Sequence, residues 1–410
     1  MLTIIYPYTN LTFPSRMANA FQIVSTSHAM AKTGKASVHF ILRNPKKWTP
    51  AEILRYYGLD ECSNLHIHSI TTPYTAFPLL EKFLNLVFKL KLNAKVVSLF
   101  RENPRAILYG RDINILNLFA RFKQILGIRI AYEAHTIQSW FLRNRHTWDS
   151  NISHFPRWKA VWYTSKEKRV LEKVDFVFTV TRKLLDVLVN QFGVDEKKVH
   201  VAHDATRVVP LNASNSIGIE RKRVVGYVGQ LNTSRGVDVL IRAMKYLADG
   251  TELMVVGGGN EKHLKRLKSL SCELGLTERI TFTGYVEPTR VKDYLAKMDI
   301  LAMPHLDHIH ITNFASPLKL FEYMAQEKPI IATNLLSTRE ILRDGENAVL
   351  VKPNDPQALA SGIKLVFENR ELARRIAKNA YEEVCEKYTW GKRAEKILSI
   401  LCSYSETQGH

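Results

Sequence analysis

Cysteine is scarce in this sequence. The 410 residues include only 4 cysteines, and Cys62, Cys272, Cys385 and Cys402 lie far apart with no paired spacing. This distribution indicates neither a disulfide framework nor a zinc site. We therefore expect a protein of a reducing compartment, the cytoplasm.

Long uninterrupted apolar runs are also lacking. The longest apolar tract, FLNLVFKLKLNAKVVSLF from Phe83, is interrupted by Lys89, Lys91 and Lys95. Because charged side chains are costly at the centre of a bilayer, this tract predicts a helix on a protein surface, in contact with a membrane at most. The first residues, MLTIIYPYTN, have no basic segment before a long apolar core, so we expect a strand there and no signal peptide.

Acidic residues are fewer than basic ones. The chain has 58 Lys and Arg against 39 Asp and Glu, which gives a formal net charge of +19. Such a surplus favours contact with an anionic partner: a nucleic acid, an acidic membrane surface or a phosphorylated substrate. No nucleic-acid-binding module is recognisable, so we expect no nucleic-acid partner.

Short apolar runs alternate with amphipathic stretches along most of the chain, which predicts crossover connections and parallel sheets. The runs SVHFIL, AILYG, IRIAYEAH, FVFTVT and KVHVAH precede a polar stretch, NASNSIGIERKR. The pattern then restarts with RVVGYVG, ELMVVGG, ITFTG and DILAMP, and only helices are expected past Pro353. We predict an α/β protein with two doubly wound, Rossmann-like domains, residues 1–211 and 224–387. A linker, 212–223, joins them, and the carboxyl ends of their strands face each other across a cleft.

One helix start combines signals of an anion site. In ASPLKLFEYM, Ser316 and Pro317 are typical of an N-cap and a first helical position. The first amide groups, from Leu318 and Lys319, together with the Lys319 ammonium, can bind a phosphate. Glu322, three residues on, shares the face of Lys319 and can accept hydrogen bonds from the two hydroxyls of a ribose. The alternative is an exposed salt bridge between Lys319 and Glu322, and both interpretations are open here.

A second phosphate contact is suggested by GYVGQLNTSRGVDVL. Here a strand with Gly226 and Gly229 precedes a loop, and Arg235 and Gly236 stand at the start of a helix. Glycines let a ligand approach the backbone, and an arginine binds phosphate through two hydrogen bonds. The spacing matches neither G-x-G-x-x-G nor Walker A, which argues against a dinucleotide enzyme and a P-loop ATPase.

The first half has candidates of lower specificity. The loop after the first strand contains Pro14, Ser15 and Arg16, which form either an acceptor-binding lip or an ordinary βα turn. Glu133 and His135 end a strand two residues apart, so both leave the same face, and the histidine either contacts a sugar or phosphate or is simply hydrogen-bonded.

Arg111 also lies at a strand end, where it is either a cleft cation or the ion-pair partner of Asp112. The loop HLDHIHITN contains His305, His308 and His310, but its spacing fits no standard zinc pattern, so we expect no metal.

A basic and aromatic segment lies at 151–173. It has six basic and two acidic residues interleaved with Phe155, Trp158, Trp162 and Tyr163. Such a mixture is typical of a helix at an anionic bilayer surface. The alternative is an amphipathic helix whose aromatic side chains lie in the core.

Taken together, these motifs resemble the retaining GT-B glycosyltransferases of family four. The resemblance extends over nearly the whole chain through GYVGQLNTSRGVDVLIRAM, ELMVVGGG, RITFTGYV, MDILAMP, SPLKLFEYMAQEKPIIAT, STREILRDGENAVLV and YTWGKRAEKIL. It implies that the C-terminal domain binds a UDP- or GDP-sugar and the N-terminal domain binds a glycan or lipid-linked acceptor. It also implies that a last helix, about 388–410, packs back on the first domain, and that no metal or other cofactor takes part.

The resemblance assigns roles to individual residues. Arg235 and Lys319 would bind the diphosphate, Glu322 the ribose, and the backbone near Tyr285 and Val286 the base. His135 would lie near the reacting sugar, so that the catalytic set is His135, Glu322, Lys319 and Arg235. The expected donor-binding residues are Gly229, Gln230, Arg235, Gly258, Tyr285, Val286, Asn313, Ser316, Leu318, Lys319 and Glu322, and the acceptor-binding residues are Pro14, Ser15, Arg16, Arg111, Glu133 and His135.

Two positions depart from the family pattern. Phe314 stands where the first of two glutamates would contact the donor sugar, and Gln230 stands where an arginine is usual. Sugar contacts would then come from Asn313 or the histidine loop, and the identity of the sugar stays open. The expected function is retaining sugar transfer in bacterial-type surface polysaccharide or glycolipid synthesis. The alternative is a nucleotide-sugar-binding protein of other activity, either an epimerase or a catalytically weak scaffold.

Overall fold

A computed structural model describes residues 1–73, 77–143, 157–208, 223–287, 290–308, 312, 314 and 316–406 of the chain. The chain divides into two compact units. Unit 1 comprises Met1–His203 and Trp390–His410, and unit 2 comprises Asp204–Thr389. The linker expected at 212–223 lies outside the described residues, except for Arg223, which begins a strand.

Unit 1 is built on a seven-stranded parallel sheet of order β3-β2-β1-β4-β5-β6-β7. Its strands are β1 Leu2–Thr12, β2 Ala36–Arg43, β3 Leu65–Ile70, β4 Ile107–Gly110, β5 Arg129–Ala134, β6 Phe176–Thr179 and β7 Val199–Val201. Its helices are Ala18–Lys32, Pro50–Tyr56, Pro78–Glu102, Ile113–Arg121, Lys123–Leu126, Gln138–Arg143, Arg157–Lys173, Arg182–Phe192 and Trp390–Glu406.

Unit 2 has a six-stranded parallel sheet of order β10-β9-β8-β11-β12-β13. Its strands are β8 Arg223–Val228, β9 Thr251–Val256, β10 Ile280–Gly284, β11 Ile300–Met303, β12 Ile330–Thr333 and β13 Val349–Val351. Its helices are Val237–Ala243, Glu261–Glu273, Val291–Leu295, Leu318–Met324, Leu336–Arg339, Pro356–Glu368 and Arg370–Lys387.

The apolar runs form strands because both faces of each sheet are buried. In β8, Val225 and Tyr227 join the core on one face, and Val224 and Val228 join the core on the other. A strand covered on both sides is apolar at successive positions, which is typical of parallel sheets in α/β proteins. The prediction of two doubly wound α/β domains is confirmed, although the short edge strands β3 and β13 were not predicted.

Local signals set several helix ends. The side chains of Asp112, Thr181 and Asp355 accept hydrogen bonds from backbone N–H groups in the first turn of the helices that follow them. Gly193 closes the helix Arg182–Phe192 with a φ of 65°, a conformation that glycine adopts without strain.

The strand orders fix where ligands can bind. In each parallel sheet the order in which successive strands are added reverses between two neighbours, β1 and β4 in unit 1 and β8 and β11 in unit 2. Open α/β sheets bind ligands beyond the carboxyl ends of the strands at such a switch point. Within the described ranges, no helix has the length and apolar character needed to cross a bilayer.

Candidate functional site

In unit 2, the loop after β8 meets the helix Leu318–Met324. Lys319 Nζ donates a hydrogen bond of 2.8 Å to Tyr227 OH and lies 4.1 Å from the centre of that ring. Tyr227 OH in turn donates to Gln230 O at 2.9 Å. Gly229 has a φ of 148°, and a Cβ at this position would lie 2.9 Å from Lys319 Cε. Only glycine therefore leaves room for the lysine against this loop.

The helix itself is anchored to β8 from the other side. Val228 N–H donates to Tyr323 OH at 2.8 Å, and Tyr323 is fully buried. Since Tyr323 and Lys319 are one turn apart on the same short helix, this anchor also fixes the position of the lysine.

Arg235 approaches the same region from the turn that precedes the helix Val237–Ala243. Its Nη1 donates to His305 Nε2 at 3.3 Å, and its buried Nε has no hydrogen-bond partner among the described residues. His305, two residues after the end of β11, is 1% exposed and accepts a hydrogen bond from Thr333 Oγ1 on its carbonyl. An acceptor at Nε2 means that the ring is neutral.

The electrostatics of this cluster are those of an anion site. Burial, and then the Arg235 guanidinium, hold the pKa of Lys319 well below its usual value, and burial also lowers the pKa of Arg235. Burial and the two cations lower the pKa of His305 as well. Over the described ranges, neither Lys319 nor Arg235 forms an ion pair with a carboxylate. An anion at this position would relieve the repulsion.

Glu322 completes the group on the helix Leu318–Met324. Burial raises the pKa of its carboxyl, and Lys319 partly offsets that effect. Both side chains are half-buried, and the amine of Lys319 faces Tyr227. The interpretation of Lys319 and Glu322 as an exposed salt bridge is therefore wrong.

The predicted cap of this helix is also wrong. The helix begins at Leu318, with Pro317 in extended conformation at the N-cap position and no side-chain cap. Ser316 lies one residue too early to cap the helix, and its Oγ instead accepts from Asp204 N–H at 3.2 Å.

The remaining donor-side candidates follow neighbouring strands. Gly258 comes after β9 and accepts a hydrogen bond from Leu231 N–H on its carbonyl. A Cβ on Gly258 would lie 3.3 Å from Tyr285 Cβ, and Tyr285, which follows β10 together with Val286, is 46% exposed. Asn313 lies outside the described residues, and Phe314 is only 2% exposed.

The histidine loop contains no metal cluster among its described members. His305 contacts Arg235, whereas His310 lies outside the described residues. In the part of the chain that the structure describes, no three His, Cys, Asp or Glu side chains are grouped for a metal ion.

In unit 1, a buried carboxylate organises the ends of β4 and β5. Glu133 is 1% exposed, and its Oε2 accepts from Tyr109 OH at 2.6 Å. Its Oε1 accepts from Arg393 Nη2 at 2.9 Å and from His135 Nε2 at 2.6 Å. Arg393, from the last helix, also donates to Thr26 Oγ1 at 3.1 Å. Burial opposes ionisation, but Arg393 and His135 together lower the pKa of Glu133.

A chain of hydrogen bonds leads from this carboxylate to Arg111. His135 Nε2 must carry the proton because Glu133 only accepts. Its Nδ1 is therefore the acceptor for Gln22 Nε2 at 3.4 Å, and Gln22 Oε1 accepts from Arg111 Nη1 at 2.5 Å. Burial, and then Arg111, lower the pKa of His135 to about 4, so the ring is neutral at pH 7.

The structure changes the interpretation of three residues that were predicted to bind the acceptor: Glu133, His135 and Arg111. Glu133 and His135 share a face as predicted, but Glu133 is too buried to contact an acceptor and instead orients His135. His135 Nε2 donates to that carboxylate rather than to a ligand. Arg111 does not pair with Asp112, which caps the helix Ile113–Arg121.

The loop of Pro14, Ser15 and Arg16, predicted as an acceptor-binding lip or an ordinary βα turn, is a turn held by hydrogen bonds to Tyr57. Ser15 N–H donates to Tyr57 OH at 2.8 Å, and Tyr57 OH donates back to Ser15 O at 3.0 Å. Pro14 is half-buried and Arg16 is exposed. The turn follows β1 at the switch point of the first sheet, where Arg111 follows β4.

Sequence reasoning missed several members of both clusters: Tyr227, Gln22, Tyr109, Thr26 and Arg393. Arg393 belongs to the closing motif YTWGKRAEKIL, but an arginine on an amphipathic helix gives no local sign of being 4% exposed.

Comparisons with known proteins agree with this architecture. The model of the family described as glycosyl transferases group 1 matches residues 212–383. An uncharacterized glycosyltransferase of Methanocaldococcus jannaschii is 24% identical over 246 residues, 57% of this chain and 61% of that protein. A D-inositol 3-phosphate glycosyltransferase of Rhodococcus opacus is 28% identical over 262 residues, 60% of this chain and 57% of that protein. These alignments span less than two thirds of the length of either relative.

Solved structures match over more of the chain. Sucrose-phosphate synthase from Thermosynechococcus elongatus has a TM-score of 0.74 and 16% identity over 100% of both chains. HepE of Anabaena, solved in complex with UDP, has a TM-score of 0.71 and 18% identity over 98% of this chain and 100% of that chain. These likenesses show the GT-B fold.

Proposed function

Since the chain has the GT-B fold and its residues 212–383 match the family model of the glycosyl transferases group 1, we propose that it transfers a sugar from a nucleotide-sugar donor to a hydroxyl of a glycan or lipid-linked acceptor. One observation carries the proposal. At the switch point of the second sheet, Arg235 and Lys319 are two half-buried cations without a carboxylate partner among the described residues. Such a pair is suited to a diphosphate.

Each side chain around this point has a proposed role. Arg235 and Lys319 bind the diphosphate, and the backbone at Gly229 allows the phosphates to come close. Glu322 accepts hydrogen bonds from the ribose, and the exposed segment at Tyr285 contacts the base. HepE was solved with UDP and with UDP-glucose, which supports a uridine diphosphate sugar as the first donor to test.

The proposed roles of the two cations follow from where negative charge develops during sugar transfer. As the glycosidic bond to the diphosphate breaks, negative charge grows on the leaving oxygen, and Arg235 and Lys319 stabilise it without a metal. We propose retention of configuration, with the acceptor hydroxyl attacking the face that the diphosphate leaves and giving its proton to the leaving oxygen. On the acceptor side, Arg111 and the loop at Ser15 contact the acceptor, while His135 is held in place by Glu133.

The cellular setting proposed is surface polysaccharide or glycolipid synthesis at the cytoplasmic face of a membrane. A structural neighbour with a TM-score of 0.63 and 13% identity, WaaG, is described as involved in lipopolysaccharide biosynthesis. The formal net charge of +19 favours an anionic surface.

Ligand-induced stabilisation tests donor binding. UDP-, GDP- and ADP-sugars should be compared, because a ligand that binds only the native state raises the Tm. We expect a shift with one nucleotide class, and Lys319→Ala and Arg235→Ala should each lower kcat more than about tenfold. No shift with any of the three classes, or near-wild-type turnover in both variants, would contradict the proposal.

A second candidate is a nucleotide-sugar-binding protein without transferase activity. It is favoured by Phe314, which is 2% exposed in the core where the resemblance places a sugar-binding glutamate. Donor binding by calorimetry without any transfer or epimerised product would support this candidate, and product analysis separates it from an epimerase.

A further inference from the structure

The helix Pro78–Glu102 of unit 1 has apolar side chains on two faces. One face packs into the unit and its rotation is fixed by Arg43, whose Nη1 donates to Glu81 Oε1 at 3.0 Å and to Asn85 Oδ1 at 2.5 Å. The buried side chains on this face are Phe88, Leu92, Val96, Leu99 and Phe100.

The opposite face is apolar and open to solvent. Leu79 is 81% exposed, Phe83 59%, Leu86 55% and Leu90 60%. Their spacing of four, three and four residues places them on one stripe, about 17 Å long at 1.5 Å per residue. We call these four side chains the apolar stripe. A contiguous exposed apolar stripe of this kind marks an interaction surface rather than ordinary solvent exposure.

The charges beside the apolar stripe are of one sign. Lys82, Lys89 and Lys91 are exposed along the same half of the helix. The one acidic residue between positions 77 and 91 is Glu81, and it is held by Arg43. Along positions 77–91 the stripe is therefore flanked by ammonium groups that form no ion pair among the described residues, and the one carboxylate there is paired with Arg43, which suits an anionic partner.

The helix Arg157–Lys173 of the same unit also has exposed aromatic side chains. Trp158 is 64% exposed and Trp162 46%, so the interpretation that these aromatic side chains lie in the core is wrong. The Lys166 ammonium lies 3.1 Å from the centre of the Trp162 ring. Burial, and then the charge of Lys89 on the helix Pro78–Glu102, lower the pKa of Lys166. Phe155 lies outside the described residues.

We propose that the apolar stripe of Pro78–Glu102 inserts into the interfacial layer of an anionic lipid bilayer, and that the exposed Trp158 and Trp162 of Arg157–Lys173 contact the same bilayer. Leucine and phenylalanine side chains enter the acyl boundary, tryptophans occupy the headgroup level, and the lysines contact lipid phosphates. The inference deepens the membrane setting proposed above and does not depend on donor chemistry.

A bilayer fits this surface better than a second copy of the chain. Two copies meeting through the stripe would bring Lys82, Lys89 and Lys91 of each against the same lysines of the other, and the chain carries a net charge of +19. Like charges at an isologous interface oppose association.

Vesicle co-sedimentation of the full chain tests the inference. The vesicles contain phosphatidylcholine alone or mixed with phosphatidylglycerol. The first variant replaces all four residues of the apolar stripe by serine, and the second combines Lys82→Glu with Lys89→Glu. The matched control combines Leu336→Ser with Leu365→Ser, which remove leucines that are 45% and 46% exposed in unit 2. The Tm and its shift with UDP verify that every variant is folded.

We expect the wild type and the control to bind anionic vesicles alike. The serine variant should bind at least about tenfold more weakly, because the inserted apolar area drives partitioning, and the charge variant should lose its preference for phosphatidylglycerol. The proposal is overturned if the wild type does not bind anionic vesicles or if the serine variant binds them as strongly as the wild type. It is also overturned if the stripe instead supports a concentration-dependent dimer. A normal UDP shift alongside any of these failures would leave donor binding intact.

Discussion

Replacing Lys319 by methionine separates the contribution of the ammonium to ligand binding from its effect on the free protein. Lys319 Nζ donates a hydrogen bond to Tyr227 OH, and this hydroxyl donates a hydrogen bond to Gln230 O. Removing the ammonium therefore leaves no buried donor without an acceptor, and it takes away a charge that burial and Arg235 disfavour. The substitution should weaken donor binding without harming the fold.

The expected magnitudes follow from these contacts. A hydrogen bond from a charged donor is worth about 1.5–3 kcal/mol, so loss of the Lys319 contact to phosphate should weaken UDP binding about 10- to 150-fold. In the free protein the expected effect is an increase in Tm, and each 1 kcal/mol of stabilisation would raise the Tm by about 2–4 °C for a unit of this size.

The pH dependence has a definite sign. The pKa of Lys319 is lower in the folded protein than its ordinary 10.5, so the unfolded chain binds more protons between these two values. Stability of the wild type should therefore rise with pH through that window, and Lys319→Met should flatten this rise.

The assay is thermal unfolding with and without UDP, and Lys328→Met is the matched control. Lys328 Nζ donates to the carbonyls of Leu295 at 2.7 Å, Ala296 at 2.9 Å and Met298. Its loss removes a charged donor from all three carbonyls and leaves Leu295 O only the hydrogen bond from Met298 N–H at 3.2 Å, so this variant should melt lower and keep the full UDP shift. The reasoning is refuted if Lys319→Met destabilises the free protein as much as Lys328→Met, or if it retains the wild-type UDP shift.

Three further predictions concern single residues. Gly229→Ala should lower both stability and UDP binding, because its φ is 148° and the new Cβ would lie 2.9 Å from Lys319 Cε; an unchanged UDP titration would contradict this. Arg393→Met should cost about 3–5 kcal/mol in denaturant unfolding by leaving Glu133 without its buried cation, and adding Glu133→Gln should recover part of the loss. Burial lowers the pKa of His135 to about 4, so the unfolded chain binds more protons between pH 4 and 6.5. Stability should therefore fall on acidification through that window, and less steeply in His135→Gln.

The positions of the strands and of the cations followed from local pattern. Apolar runs of strand length between amphipathic helices predict parallel sheets, because every strand is covered on both faces. Arg235 was found at a predicted helix start that follows a strand with two glycines, and Lys319 was found in the first turn of a predicted helix, where backbone amides can bind an anion. These features depend on near neighbours in sequence, so the sequence alone determined them.

The roles of individual side chains at those positions depended on distant contacts. Glu133 is a buried carboxylate instead of an acceptor ligand because Arg393, 260 residues away, donates to it. Ser316 bonds Asp204, 112 residues earlier, instead of capping its helix.

The sequence thus determined two α/β units, their strand ends and the cations placed there. Only the tertiary structure decided which charged side chains are buried and which apolar face of Pro78–Glu102 is exposed to solvent. Burial is set by side chains that are remote in sequence and close in space, and no local pattern records which of them will meet.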